Sequence, residues 1–171
     1  MIILIAIFLF VTLFSINHNP EGHTFHNDLI QEKEIRFSNL RQLTFSGENA
    51  EAYFSSDGKK LIFQSHDGDS LCDQIYIMNI ETGITNMVST GEGVTTCSYF
   101  VYPDCQKAIY ASTHMGNKKC PEKPNYSMGY VWKLYPDYDV FLTDLQTKSL
   151  EQLTSSPGYD AEATVAFNGR K

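Results

Sequence analysis

Three stretches of the chain repeat one another, and this periodicity restricts the fold more than any other feature. They run over residues 40–65, 84–112 and 150–171. Each opens on a short apolar strand ending in Leu43-Thr44, Val88-Ser89 or Leu153-Thr154. A loop with Gly47, with Gly91 and Gly93, or with Gly158 follows. Next comes a small-residue triplet: Ala50-Glu51-Ala52, Thr96-Cys97-Ser98 and Ala161-Glu162-Ala163. A second strand then leads into a turn at Asp57-Gly58-Lys59, Pro103-Asp104-Cys105 or Asn168-Gly169-Arg170. Apolar runs at Leu61–Gln64 and Ala108–Ala111 come next, and then near-alternating strands at 74–80 and 138–145.

Leu43 and Val88 lie 45 positions apart, and Val88 and Leu153 lie 65 apart. The extra residues of the second repeat fall in 115–137. Four short strands per ~40–45 residues, joined by tight hairpins, is the arithmetic of propeller blades. The spacing therefore predicts an all-β chain forming an incomplete β-propeller of about two and a half four-stranded blades. Strand direction puts loops 44–50, 66–73, 89–97, 114–137 and 154–162 on one face, with the hairpins on the other. Closed propellers use ~4–8 blades. The third repeat runs out at Lys171, where the first continues into Leu61-Ile62-Phe63, so the chain reads as a fragment ending mid-blade.

The repeat wording resembles that of the TolB-like, WD40-like propeller family of exported bacterial proteins. The matching residues are Gln42-Leu43-Thr44, Phe54-Ser55-Ser56-Asp57-Gly58-Lys59-Lys60-Leu61-Ile62-Phe63 and Ile75-Tyr76-Ile77-Met78-Asn79. The third repeat supplies Gln152-Leu153-Thr154 and Asn168-Gly169-Arg170-Lys171, whereas the second departs with Met87-Val88-Ser89 and Pro103-Asp104-Cys105. The resemblance covers about 39–171. It implies a propeller and association with the cell envelope, but not a task, because propellers host many tasks.

The N-terminus differs in kind. Residues 1–16 are apolar except for Thr12 and Ser15. At ~1.5 Å per residue they span roughly 24 Å as a helix, short of the ~30 Å hydrocarbon core. They read as a signal peptide or a short membrane anchor, although no Lys or Arg precedes them and no Ala-x-Ala follows. This predicts a periplasmic or extracellular protein whose contact with a membrane runs only through that segment. Residues 17–38 form a polar linker with a short helical turn expected near Asp28–Glu34, and the propeller portion is 39–171. The net charge of -7 argues against a nucleic-acid partner, because phosphate binding draws on clustered Lys and Arg.

The four cysteines suit an oxidising compartment. Cys97 and Cys105 would stand at opposite ends of one strand, roughly 25 Å apart at ~3.3 Å per residue, too far for a bridge. Cys72, Cys97 and Cys120 share the loop face. One bridge is expected among these three, with Cys97–Cys120 favoured and Cys105 free.

The loop 114–137 carries Pro121, Pro124 and Pro136 beside Tyr126, Tyr130, Trp132 and Tyr135. Prolines lower the entropy lost on ordering a loop, and rim aromatics supply contact area. These four rings are candidates for holding a ligand or partner, against the alternative that they pack the loop onto its own blade. Glu51 and Glu162 hold equivalent places at the channel-side start of inner strands, where paired carboxylates suit a cation or a basic partner. His66 and His114 both follow a second strand and are metal candidates, with His114 also a binding candidate. His66-Asp67-Gly68-Asp69-Ser70 echoes a calcium loop but lacks its bidentate Glu.

The sequence contains no Gly-x-Ser-x-Gly, no His-Glu-x-x-His and no phosphate-cradling loop, so no catalytic residue and no cofactor is assigned. The leading expectation is a non-catalytic exported propeller that binds an envelope protein or peptide. A glycan partner is the other ligand class considered. The competing expectations are the gating portion of a prolyl-oligopeptidase-like peptidase and a glycan-binding or lyase-type propeller.

Overall fold

A computed structural model describes residues 27–67, 72–122, 124–166 and 168. The apolar segment 1–16 and the histidines of the linker before Asn27 lie outside the described residues. Among the described residues no helix is long and apolar enough to cross a membrane.

Among the described residues a 3-10 turn at Asn27–Leu29 comes first, followed by eight strands. They are β1 (Glu48–Phe54), β2 (Lys60–His66), β3 (Gln74–Asn79), β4 (Thr85–Met87), β5 (Thr95–Phe100), β6 (Lys107–Ser112), β7 (Asp139–Asp144) and β8 (Leu150–Gln152). They form two four-stranded antiparallel sheets, β1-β2-β3-β4 and β5-β6-β7-β8. Each sheet is a simple meander, as a propeller blade is. The expected loop faces follow directly from this order.

Local chemistry explains why the repeat wording builds blades. The hydroxyl that closes the Val88-Ser89 and Leu153-Thr154 pairs accepts a backbone N–H of the third strand. Ile75 donates to Ser89 Oγ and Val140 to Thr154 Oγ1, each at 2.9 Å. In the same two places Val88 donates to the Ile75 carbonyl and Leu153 to the Val140 carbonyl, both at 2.8 Å. A short polar side chain thus takes over where β4 and β8 end after three residues. The brief outer strands limit the length of exposed edge. The lower hairpins are shaped by carboxylate and amide side chains accepting from the backbone two or three residues on. Asn79 holds Glu81 and Thr82, Asp144 holds Gln146 and Thr147, and Asp57 holds Lys59.

The core lies between the blades. Ile62, Ile75 and Val88 of the first blade meet Phe100, Ala108, Tyr110 and Phe141 of the second. β5 packs across β1, β2 and β3. The side chain of Gln64 crosses the seam as well: its carbonyl oxygen accepts from Thr96 Oγ1 at 2.9 Å and from the Cys97 amide at 3.3 Å. Lower down, Tyr102 donates its hydroxyl to the Phe54 carbonyl at 2.6 Å. A second, smaller cluster of Leu61, Phe63 and Met78 is covered in part by Leu43, Tyr76 and Ile80.

The inner strands depart from a regular ladder at one repeated place. β1 shifts register between Ala50 and Tyr53, and β5 between Thr96 and Tyr99. Glu51 and Cys97, inside those bulges, have φ of 53° and 51°. Glu162 in the third repeat has φ of 60°. Few non-glycine residues occupy this left-handed region, and here they fall on the middle residue of each small triplet.

The third repeat differs from expectation in one respect. Its described residues 153–166 contain no strand beyond the end of β8. It nonetheless docks as the second repeat does. Asp160 donates to the Tyr138 carbonyl at 3.0 Å, just as Thr95 donates to the Asp73 carbonyl at 3.0 Å. The physical difference is the partner: a strand needs a neighbour to ladder with, and β5 has β6. Gly169 to Lys171 of the expected turn lie outside the described residues.

Candidate functional site

The long connection between β6 and β7 folds over the loop face of both blades. Its base is fixed by close backbone approach and short bonds. A Cβ at Gly116 would come within 2.8 Å of the Asp137 side chain, so the two ends of the loop meet there through a glycine. Gly93 donates to the Lys118 carbonyl at 2.8 Å, and Lys118 pairs with Glu92 at 3.1 Å. Across the loop the Tyr135 hydroxyl donates to the Glu122 carbonyl at 3.1 Å. The Trp132 indole N–H reaches Tyr159 Oη at 2.9 Å, carrying the loop to the third repeat.

One disulfide, Cys72–Cys120, joins this loop to the first blade, with Cα atoms 5.6 Å apart. A bridge among the three loop-face cysteines was the expectation, and Cys105 is free. The favoured pair is corrected, because Cys120 takes Cys72 and leaves Cys97 free. The reason is position. Cys72 immediately precedes Asp73 at the entrance to β3, beneath the loop base. Cys97 sits inside the β5 bulge, where its thiol contacts Thr96 Oγ1 at 3.2 Å.

Between the loop and the first blade lies a cavity of about 640 Å³. Its aromatic wall is Tyr126, Tyr130, Trp132 and Tyr135, the four rings singled out from sequence. Tyr126 and Tyr130 are stacked, 6.1 Å between centroids and 9° apart in plane. Tyr130 and Trp132 are exposed, and Tyr135 is half-buried against Tyr138 at 6.2 Å. The four rings therefore divide by burial. Tyr135 packs the loop down, while Tyr126, Tyr130 and Trp132 offer their faces outward.

The opposite wall comes from the start of β1, the end of β2 and the entrance to β3, and it is polar. His66 Nδ1 bonds Asp73 Oδ1 at 2.5 Å, and His66 Nε2 lies 3.7 Å from Glu48 Oε1. Asp73 Oδ2 also accepts from Gln64 Nε2 at 3.1 Å, so this wall is wired to the blade seam. An imidazole oriented by a carboxylate is the start of an acid-base unit. Here the other ring nitrogen faces the Glu48 carboxylate at 3.7 Å rather than a hydroxyl or thiol. This group forms the polar wall of the cavity.

The remaining candidates lie elsewhere. His114 is buried, its ring 4.4 Å from Phe141 and its Nδ1 bonded to Ser112 Oγ at 2.9 Å. Burial holds its imidazole below the ordinary range. It does not line the cavity with His66, and among the described residues no three His, Cys, Asp or Glu side chains are placed to hold a metal. Glu51 and Glu162 act on a different group. Burial, with help from these two carboxylates, pushes the Cys97 thiol up to about 11, against a smaller opposing effect of the Thr96 hydroxyl. The calcium-like stretch cannot be followed, since residues 68–71 lie outside the described residues.

Sequence reasoning missed Glu48, Gln64, Cys72 and Asp73 as parts of this wall. The alternation of β2 marks Gln64 and His66 as same-face residues, which is the one local signal for the pairing. Glu48 and Asp73 reach His66 only through the antiparallel register, which sets Glu48 opposite His66.

No protein-family model matches the chain, and no curated protein matches it. Among solved structures, TolB from Acinetobacter baumannii aligns at 18% identity with a TM-score of 0.46, covering 67% of this chain and 23% of that one. A protein assigned as a TolB in Agrobacterium tumefaciens aligns at 19% identity with a TM-score of 0.37, covering 71% of this chain and 54% of that one. The chain thus spans less than two thirds of the length of either protein to which it is similar.

Proposed function

We propose that this chain is a non-catalytic propeller segment of the cell envelope that holds an extended peptide segment of a partner protein in the cavity beneath the 113–138 loop. The observation that carries the reading is the cavity itself, with aromatic faces on one wall and hydrogen-bonding groups on the other. Sites that hold peptides combine apolar contact area with a few placed polar groups. The loop's three prolines and its disulfide support a preformed site, which lowers the ordering entropy lost on binding. A disulfide also suits the oxidising space outside the cytoplasm. The His66 environment supports binding over catalysis, as argued from its Glu48 neighbour.

Trp132 is the single tryptophan of the chain and lines the cavity, so its fluorescence reports occupancy. The test titrates the full chain with acetylated, amidated pentapeptides of the form Gly-Ala-X-Ala-Gly, and separately with chitotriose and maltotriose. A saturable change in Trp132 emission with peptides, absent with the sugars, is expected. Saturation with a sugar alone would replace the peptide reading by a glycan-binding one. No response to either class would remove the cavity as a binding site.

A further inference from the structure

Resting on that peptide-binding reading, we infer that the cavity selects for a basic side chain, arginine in first place, at the position of the partner that enters between Glu48 and the aromatic wall. Among the described residues the acidic and basic side chains that line the cavity are Glu48, Asp73, His66 and Lys133. Asp73 is committed, since its two oxygens take His66 and Gln64. Glu48 is not committed to the same degree. Its side chain is 81% exposed, and its ionic contact among the described residues is the 3.7 Å approach of His66 Nε2. It is therefore the carboxylate left to receive a guest.

The opposite wall already accepts a cation. Lys133 Nζ stands 5.0 Å from the centroid of the Tyr135 ring, within the reach of a cation–π contact. Tyr126, Tyr130 and Trp132 carry the same kind of electron-rich face and remain open to solvent. A guanidinium is planar, so it can stack on such a ring while its edge donates two parallel N–H bonds to one carboxylate. Lysine can satisfy the carboxylate or the ring as a point charge, but does not supply the fork. An anionic guest would meet both Glu48 and Asp73. The overall charge of -7 adds a long-range preference for basic partners during encounter.

The experiment compares two pentapeptides, Gly-Ala-Arg-Ala-Gly and its citrulline counterpart, both acetylated and amidated. Citrulline keeps the planar shape and removes the charge. With the full chain and Trp132 emission as readout, the arginine peptide is expected to bind roughly tenfold more tightly. Glu48→Gln, an exposed change that leaves the strand ladder intact, is expected to erase most of that preference. Equal binding of the two peptides by the unaltered chain overturns the inference and leaves the peptide-binding reading standing. A preference that survives Glu48→Gln unchanged also overturns it, since the charge would then be read elsewhere. Failure of both peptides to bind removes both readings together.

Discussion

The Trp132 indole N–H and the Tyr159 hydroxyl meet at 2.9 Å, joining a loop of the second blade to the third repeat across 27 positions of sequence. Tyr159 also stands edge-on to the buried Tyr138, centroids 5.3 Å apart, so the bond orients a ring that is already packed. Replacing Tyr159 with Phe keeps the packing and removes the acceptor. A partly exposed hydrogen bond contributes about 0.5–1.5 kcal/mol. Urea unfolding of Tyr159→Phe is expected to show a loss in that range, accompanied by a change in the Trp132 emission maximum of the folded chain. An unchanged emission maximum would mean that the indole does not use this acceptor in solution.

The Cys72–Cys120 bridge closes a loop of 48 residues. The chain-entropy account assigns such a loop about 4 kcal/mol of stability at 25 °C. Thermal melting with and without a reductant is expected to show a large drop in the midpoint, and Cys72→Ala with Cys120→Ala to reproduce it. Thiol titration of the denatured, unreduced chain is expected to find Cys97 and Cys105 alone, the two free cysteines. Labelling of Cys72 without reductant would contradict the pairing.

Cys97 offers a test of the inner-strand electrostatics. Its thiol is pushed up to about 11 by burial first, with Glu51 and Glu162 adding to the shift. A thiol with so high a value holds little thiolate near pH 8, and thiolate is the reactive form. Alkylation of Cys97 is expected to be slow there and to keep accelerating through pH 10 without a plateau. Glu51→Gln removes a charge that opposes thiolate formation, so it is expected to speed the reaction at pH 8. Peptide mapping after a timed pulse of iodoacetamide measures both. A plateau below pH 9 would show that burial does not raise this thiol, and an unchanged rate in Glu51→Gln would show that this carboxylate does not act on it.

His114 links pH to stability. Burial holds its folded-state value below that of an exposed histidine, so the neutral ring is the one that fits beside Phe141. The sign follows from linkage: the contribution is fully present above the unfolded value of about 6.5 and is lost as pH falls through the lower folded value. The urea midpoint is expected to decline on acidification below about pH 6.5 more steeply for the unaltered chain than for His114→Phe. Parallel declines would assign the acid sensitivity to carboxylates instead.

Phe100 is fully buried between the blades, with Ile62, Ile75 and Tyr110 in the same cluster. Phe100→Ala is expected to cost about 3–5 kcal/mol, because it leaves a cavity where the two sheets meet. Circular dichroism during urea unfolding reads this directly. A loss under about 1 kcal/mol would mean that the blades do not depend on this seam.

Much of the architecture was legible because each repeat carries its own turn and bond chemistry. The hydroxyls of Ser89 and Thr154, the amide of Asn79 and the carboxylates of Asp57 and Asp144 act within a few residues or across one hairpin. Such local roles recur with the repeat and can be read from it. The aromatic wall was legible for a different reason: Tyr126, Tyr130, Trp132 and Tyr135 are crowded into one proline-rich insertion. The opposite wall was not legible. His66 acquires Glu48 through strand register and Asp73 through the return of the chain into β3, and neither relation has a sequence period. The disulfide failed for the same reason. Sharing a loop face does not rank Cys72 against Cys97. The β5 bulge does, by keeping the Cys97 thiol beside Thr96.

The backbone bend at Glu51 and Cys97 is held by the ladder around it, and the same left-handed φ recurs at Glu162, where no strand is formed. Two of these positions hold a carboxylate and one a thiol, so the turn tolerates different chemistry without a change of scaffold. The inner wall of such a fold is thus editable one blade at a time. A substitution there changes the side chain that the bend presents, while the hydrophobic seam between the sheets is built from other residues.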